Sequence, residues 1–503
     1  MSTLDPIALQ VMIGGLRAAC DEMGAALIRS AYSANIKERH DCSTALFDAG
    51  GELVMQAEHI PVHLGSMPDA VAAVLGQEQR RGSSWILNDP YRGGTHLPDI
   101  TLISPVFVEE EVIGFAACRA HHADVGGPTP GSMPARSTTL DQEGVVIPPT
   151  AADPDALREL TSQMRFPRQR LADLRAQAAA NRTGTLRLTE LAERYGPEPL
   201  RVGMTEILAY AERRTRAALS ALPNGTYAAE DLLEDDAGGE SREIALRVEA
   251  TIRDDHLTLD FSGTDPQVEG NLNCPLSVTK SAAFFAVRVL TDPEAPPSAG
   301  AYRPIEVIAP QGCLLNARAP AAVAAGNVET SSRVADLVIA AFSGARPVPA
   351  QGQGTMNNLT LAGEDFTYYE TLGGGQGACP DADGPNAIHV AMSNTLNTPV
   401  EALESEFPLR VRELSLRHDS GGEGQYRGGD GIVREIEALV PISYSLISER
   451  RRHPPRGREG GGDGAPGRNL HNGEPVPSKT EGKLQPGDSI RIETPGGGAY
   501  GTS

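Results

Sequence analysis

Apolar residues recur three and four apart through "IALQVMIGGLRAACDEMGAALIRSAYS" (7–33), the spacing of an amphipathic helix. Asp5 and Pro6 just ahead of it suit an N-cap and a first helical turn. The period then changes. "STALFDAGGELVMQA" (43–57) is two short apolar runs around Ala-Gly-Gly, the pattern of a hairpin. A second hairpin follows, with "ITLISPVFV" (100–108) and "VIGFAACRA" (112–120) on either side of three glutamates. If its turn centres near residue 110, paired positions sum to about 220, so position 99 faces position 121.

Residues 152–221 are rich in Ala, Leu, Arg and Glu at helical spacing, and "ALPNGTY" (221–227) closes them with a turn. Alternation in "REIALRVEATIRDDHLTLDFSG" returns the chain to strands. "CPLSVTKSAAFFAVRVL" (274–290) and "SSRVADLVIAAFSG" (331–344) predict helices entered from loops. Beyond 345 the pattern is turn-rich and strand-like, ending in glycine clusters, and no repeat of solenoid period occurs. The 503 residues exceed one hydrophobic core. The expected fold is mixed α/β (α+β) and multidomain. Its parts are a hairpin-rich α/β region (1–150), a helical segment (151–222), a second α/β region (223–345) and a strand- and glycine-loop-rich part (346–503).

Charge narrows the partners. Lys+Arg total 44 against 66 Asp+Glu, a net −22 that repels phosphate backbones and anionic lipid, which argues against nucleic acid and membrane as partners. No apolar run reaches eighteen residues, and "MSTLDPIALQVMIGG" has acid and proline where a signal peptide is basic. Six dispersed cysteines without a CxxC pair argue against a zinc ribbon, a thioredoxin-type site and a disulfide framework. The expected compartment is the cytoplasm.

Histidine is rare, at 11 residues, so its clustering draws notice. "NDPYRGGTHLPDI" (88–100) carries His96 and Asp99, and "AHHADVGG" (120–127) carries His121 and His122. The hairpin register sets Asp99 opposite His121, about 5 Å apart, with His96 in the loop entering the same end. Two imidazoles and a carboxylate suit Zn²⁺, Mn²⁺ or Fe²⁺; unrelated polar loop residues are the alternative. Asp41 in "ERHDCS" is a candidate fourth ligand that nothing local places there. His122, next along the chain, should face the other way, beside the site or in solvent. In "HIPVHLGSMP", Pro61 between His59 and His63 predicts extended chain and argues against a second metal site.

Nucleotide signals fail. No GxxxxGK[ST] or GxSxG occurs, and Gly462–Gly467 matches GxGxxG in a Pro/Gly/Arg loop with no βα unit before it. Any ATP site is therefore expected off this chain. "GNVETSSRVAD" (326–336) places Asn327 and Glu329 ahead of a helix, to cap it or line a site. "GTMNN", "ETLGGGQGA" and "MSNTLNTPVEALE" resemble close-approach glycine loops and amide-rich turns, with tight turns between strands as the plainer reading.

In this order the segments resemble the hydantoinase B family over essentially the whole chain, from "DPIALQVM" to "PGGGAYG". The most specific pieces are "ERHDCSTALFDAGGELV", "HIPVHLGSM", "NDPYRGGTHLPDITL", "HHADVGG", "GNVETSSRVAD", "SNTLNTPVE" and "GGDGIVRE". The family includes the B-type components of ATP-dependent hydantoinases, the corresponding half of 5-oxoprolinases, caprolactamase and ketone-carboxylase components. The resemblance implies a divalent metal (Mn, Zn or Fe) on His96, Asp99 and His121, with Asp41 as a further ligand. It also implies ATP-Mg on a separate, actin-like hydantoinase A-type partner in a hetero-oligomer. Metal-assisted opening of a hydantoin, 5-oxoproline or lactam follows, with Glu329 or His122 as candidate base. Alternatives are one component of an ATP-dependent ketone carboxylase and a non-catalytic companion of the A-type partner. Leu396, where relatives often carry a basic residue, and the acidic "ACPDADGPNA" depart from the family pattern, so the substrate does not carry over.

Overall fold

The computed structural model describes residues 5–58, 60–63, 65–235 and 242–502; His59 lies outside them. The long helix Pro6–Ser30 forms where its apolar spacing predicts. Asp5 occupies the N-cap position, but its carboxylate makes no cap bond; only its carbonyl accepts the Leu9 N–H.

Six strands make the sheet that carries the candidate site: β1 (Cys42–Asp48), β2 (Leu53–Glu58), β3 (Trp85–Leu87), β4 (Asp99–Val108), β5 (Glu111–His121) and β6 (Thr150–Ala151). Their order is β2-β1-β5-β4-β3-β6, with every neighbour antiparallel. Both predicted hairpins are present. In the second, Asp99 pairs with His121 and Ile100 with Ala120, and that register holds until a bulge between Val106 and Phe107 shifts it by one.

Strand parity then sorts the side chains. Ile100, Leu102, Cys118 and Ala120 pack in one core with the helices Pro6–Ser30 and Pro167–Tyr195. Ile103, Phe115 and Ala117 pack in another with the helix Met67–Leu75. Asp99, Thr101, Arg119 and His121 share the parity of this second face, which leads into the site.

The helical segment is three helices, Pro154–Ser162, Pro167–Tyr195 and Pro197–Ser220, each opening on the proline that suits a first turn. A four-stranded sheet follows: Gly225–Asp235, Arg242–Arg253, His256–Asp260 and Ile305–Ile308. The helices Leu276–Thr291 and Ser331–Ala341 share its core through Val278, Ala282, Val334 and Val338. The remaining chain forms a four-stranded and a five-stranded sheet whose core includes Leu361, Leu446, Ile436 and Ile490. "NTPVEALE", read as a turn, opens the short helix Val400–Glu406.

The glycine clusters follow the close-approach reading rather than the tight-turn one. They are neighbouring segments packed backbone to backbone: a Cβ on Gly375 would stand 2.0 Å from the Gly429 carbonyl oxygen, and one on Gly428 1.9 Å from that of Gly497. Amides point across the gap, Gly429 N–H to the Gln376 carbonyl and Gly497 N–H to that of Gly429, both at 2.9 Å. Gly464 of the GxGxxG match belongs to this packing, donating to the Pro455 carbonyl. All six cysteines are free, and no described helix is long and apolar enough to cross a membrane.

Candidate metal centre

At the open end of the β4–β5 hairpin three donor atoms converge. His96 Nε2 lies 3.1 Å from Asp99 Oδ1 and 3.2 Å from His121 Nδ1, and His121 Nδ1 lies 3.2 Å from the same Asp99 oxygen. All three side chains are buried, and the trio is the one group of potential ligands of this kind among the described residues. The triangle suits a cation: donors bound at about 2.1 Å and at right angles to each other lie about 3 Å apart. Without an ion, two imidazole nitrogens and a carboxylate oxygen would crowd one point with too few protons to bond all three edges.

Distant segments hold the trio in place. Asp99 Oδ2 accepts from Thr95 Oγ1 at 2.6 Å and from Asn327 Nδ2 at 3.4 Å. Asn327 projects from a π-helical turn, Gly326–Thr330, a form common at functional sites. His63, which Pro61 sets apart in the sequence, belongs here: a 3₁₀ turn over Pro61–His63 brings its Nε2 to 3.4 Å from Asp99 Oδ2, while Nδ1 meets Ser43 Oγ at 3.0 Å. The proline opens a tight turn rather than extending the chain, and that use of proline was the signal available in the sequence. Tyr369 carries no such signal. Its ring stacks on His121, centroids 4.6 Å apart and planes 13° from parallel, and its hydroxyl donates to Asn358 Oδ1 at 2.8 Å.

Glu329, also on the π-turn, lies one hydrogen bond further along. Its Oε1 accepts from Asn358 Nδ2 at 2.8 Å and from the Met356 N–H at 3.2 Å, while Oε2 has no partner among the described residues. Burial, reinforced by the Glu449 carboxylate, pushes its carboxyl up to about 7. Burial would likewise raise Asp99, but the charge of His96 and hydrogen bonds from His121, His63 and His96 hold it well below the usual carboxylate range.

The other two predicted residues stand apart from the trio. Asp41 is buried beside it, and its carbonyl accepts the His121 N–H at 3.0 Å, but its carboxylate does not join the three donors. His122 is neither in solvent nor turned toward the trio. It has the opposite parity, is fully buried, and its Nε2 meets Gln177 Oε1 at 2.9 Å on the long-helix side. Burial lowers it to about 4, so it stays neutral near pH 7.

A fold of separate sheets and helical layers, with a His/Asp/His trio at a hairpin mouth, defines the class; comparison with known proteins supplies the family. Residues 5–503 match the profile described as Hydantoinase B/oxoprolinase, and the chain belongs to that family. It is 38% identical to a 5-oxoprolinase of Dictyostelium discoideum over 99% of its own length but only 40% of that protein's. It is 31% identical to the B component of a D-/L-hydantoinase, so named putatively, of a Pseudomonas strain, covering 100% of this chain and 90% of that one. The chain thus spans about two-fifths of the 5-oxoprolinase and nearly all of the hydantoinase component. Among solved structures, an ATP-dependent caprolactamase from Pseudomonas jessenii superposes with a TM-score of 0.92 at 30% identity, over 100% of this chain and 92% of that one. An acetone carboxylase superposes at 0.88 with 19% identity, over 99% and 76%, a likeness of fold.

Proposed function

We propose that the chain is the B-type part of an ATP-dependent cyclic-amide hydrolase that opens a hydantoin, 5-oxoproline or another lactam ring. The convergence of His96, Asp99 and His121 on one point carries this reading. The relatives named as hydrolases, at 30% identity or more, favour hydrolysis over ketone carboxylation, whose representative shares the fold alone. A divalent cation held by the trio, Mn, Zn or Fe, would supply Lewis acidity to a substrate carbonyl.

The chain's own residues do the rest. Thr95 and Asn327 fix the Asp99 carboxylate, and Tyr369 braces the His121 ring. Glu329 is the proposed base: its free Oε2 takes a proton from the attacking water and returns it to the departing ring nitrogen, a task suited to a carboxyl titrating near neutrality. His122, directed at Gln177, is left out of proton transfer. Asp41 remains a proposed additional ligand that would have to turn inward. ATP-Mg is assigned to a hydantoinase A-type partner in a cytoplasmic hetero-oligomer, since this sequence has no phosphate-binding loop.

Co-purification with a candidate A-type partner, then ADP release assayed over hydantoin, 5-oxoproline, caprolactam and acetone, tests the reading. ADP coupled to a ring-opened acid is expected. Carboxylated acetone with no ring opening would move the assignment to the carboxylase class. Full turnover by His96→Ala would leave the chain a non-catalytic partner.

A further inference from the structure

Five arginines stand out as fully buried: Arg39, Arg119, Arg170, Arg333 and Arg450. Three have carboxylates, Arg170 in Asp173, Arg333 in Asp231 and Glu449, and Arg450 in Asp231 and Asp336. Arg119 has no acid but donates from every nitrogen, to Thr101 Oγ1, Ser66 Oγ and the Gly93 carbonyl.

Arg39 has neither form of compensation. Only Nη2 is engaged, 2.7 Å from Thr371 Oγ1, 3.0 Å from the Thr371 carbonyl and 2.9 Å from Thr395 Oγ1. Nε and Nη1 have no hydrogen-bond partner, and the guanidinium's bonds go to no carboxylate, among the described residues. A guanidinium does not shed its proton, so burial is offset only by an anion or a full set of acceptors.

The surroundings suit an incoming anion. Thr371 lies two residues past Tyr369, which stacks on His121, and Arg39 itself lies two residues before Asp41, whose carbonyl accepts the His121 N–H. Arg39 thus adjoins the trio. The segment 387–396 lies against Arg39 through Thr395 and Leu396. His389 Nε2 lies 3.3 Å from Thr395 Oγ1, and the Leu396 N–H donates to the Arg39 carbonyl while its side chain is 51% exposed. Ala387 and Ala391 in this segment hold φ of 56° and 55°, a left-handed conformation that strains alanine and is found where segments open or clamp.

We infer that Arg39 is an oxyanion-binding site: its free N–H donors take carboxylate or phosphoryl oxygens beside the 387–396 segment. That the anion belongs to the molecule reacting at the trio rests on the function proposed above; the anion site itself does not.

Binding tests it on the full chain, treated with chelator so that a metal cannot bind the probes. Inorganic phosphate, 5-oxoproline and 2-pyrrolidinone (the same ring without the carboxylate) are titrated calorimetrically into the parent and into Arg39→Met. The parent is expected to bind at least one anion and not 2-pyrrolidinone. Arg39→Met should lose about thirtyfold or more in affinity, and melt no lower than the parent in anion-free buffer. Binding of phosphate alone identifies a phosphoryl group, and binding of 5-oxoproline a carboxylate. No anion binding, equal binding by both chains, or an Arg39→Met chain that fails to fold or melts well below the parent would overturn the inference. Anion binding that survives alongside a complex hydrolysing no cyclic amide would remove the functional reading and leave this site standing.

Discussion

Two buried charged regions of the molecule follow opposite rules. Around Asp231 every charge meets its opposite: Lys479 contacts Glu449 at 2.8 Å, Arg333 reaches Glu449 and Asp231, and Arg450 reaches Asp231 and Asp336. These groups join the strand Gly225–Asp235 and the helix Ser331–Ala341 to the C-terminal sheets. At the β4–β5 mouth, potential metal ligands crowd together instead, two imidazole nitrogens and one carboxylate oxygen around a single point. The first region pairs its charges within the chain and holds layers together. The second gathers the potential ligands of a cation, and it is the proposed place of chemistry.

Glu449→Ala is the hardest blow to the first region, since it leaves Lys479 and Arg333 short of an anion in the interior. Chemical unfolding should show a loss of about 3–5 kcal/mol, with metal content per folded chain unchanged. Retained stability would mean that this network is no more structural than the trio.

His96→Ala reverses the signature. Turnover of the assembled complex should fall more than about a hundredfold, beyond the loss typical of groups that only support a ligand. The melting temperature of the metal-free chain should fall far less than in Glu449→Ala, because Asp99 keeps His121, His63 and Thr95 as partners.

Glu329→Gln sharpens the comparison through pH. Its carboxyl titrates near 7 when folded, against 4.5 for an unperturbed glutamate, so the folded chain holds its proton more tightly. The associated stability is present below about pH 4.5 and is lost as pH rises through about 7. Relative to the parent, Glu329→Gln should be stabilised at pH 8, by roughly 3 kcal/mol at the outside, and unchanged at pH 4.5. A difference independent of pH would detach Glu329 from any role as a base.

Tyr369→Phe should do least. It keeps the ring on His121 and removes only the hydroxyl's bond to Asn358, a neutral hydrogen bond of about 1 kcal/mol. A fivefold fall in turnover with metal content intact is expected, whereas lost metal would place the hydroxyl closer to the centre than its bond to Asn358 suggests.

The share of this that could be read in the sequence follows the range of the interactions. Asp99 meets His121 because a short turn and a period of two set the register, and both are local. His96 enters with Asp99, three residues away. Parity also gave His122 its direction, though not its burial under Gln177, which comes from a separate helix. Asn327 could be read as a residue lining a site, but its partner Asp99 lies 228 residues away, and Tyr369, from yet another sheet, had no local pattern to announce it. Close approach was one reading of the glycine clusters, but which backbones meet depends on partners more than a hundred residues away, as for Gly375 and Gly497.

Metal analysis of the purified chain, parent beside Asp99→Ala, bears most directly on the claim that the trio is a metal centre. The account predicts close to one Mn, Zn or Fe per parent chain and almost none in a folded Asp99→Ala chain. Equal metal in both, or a metal-free parent that gives full turnover with its partner in chelator, would contradict it.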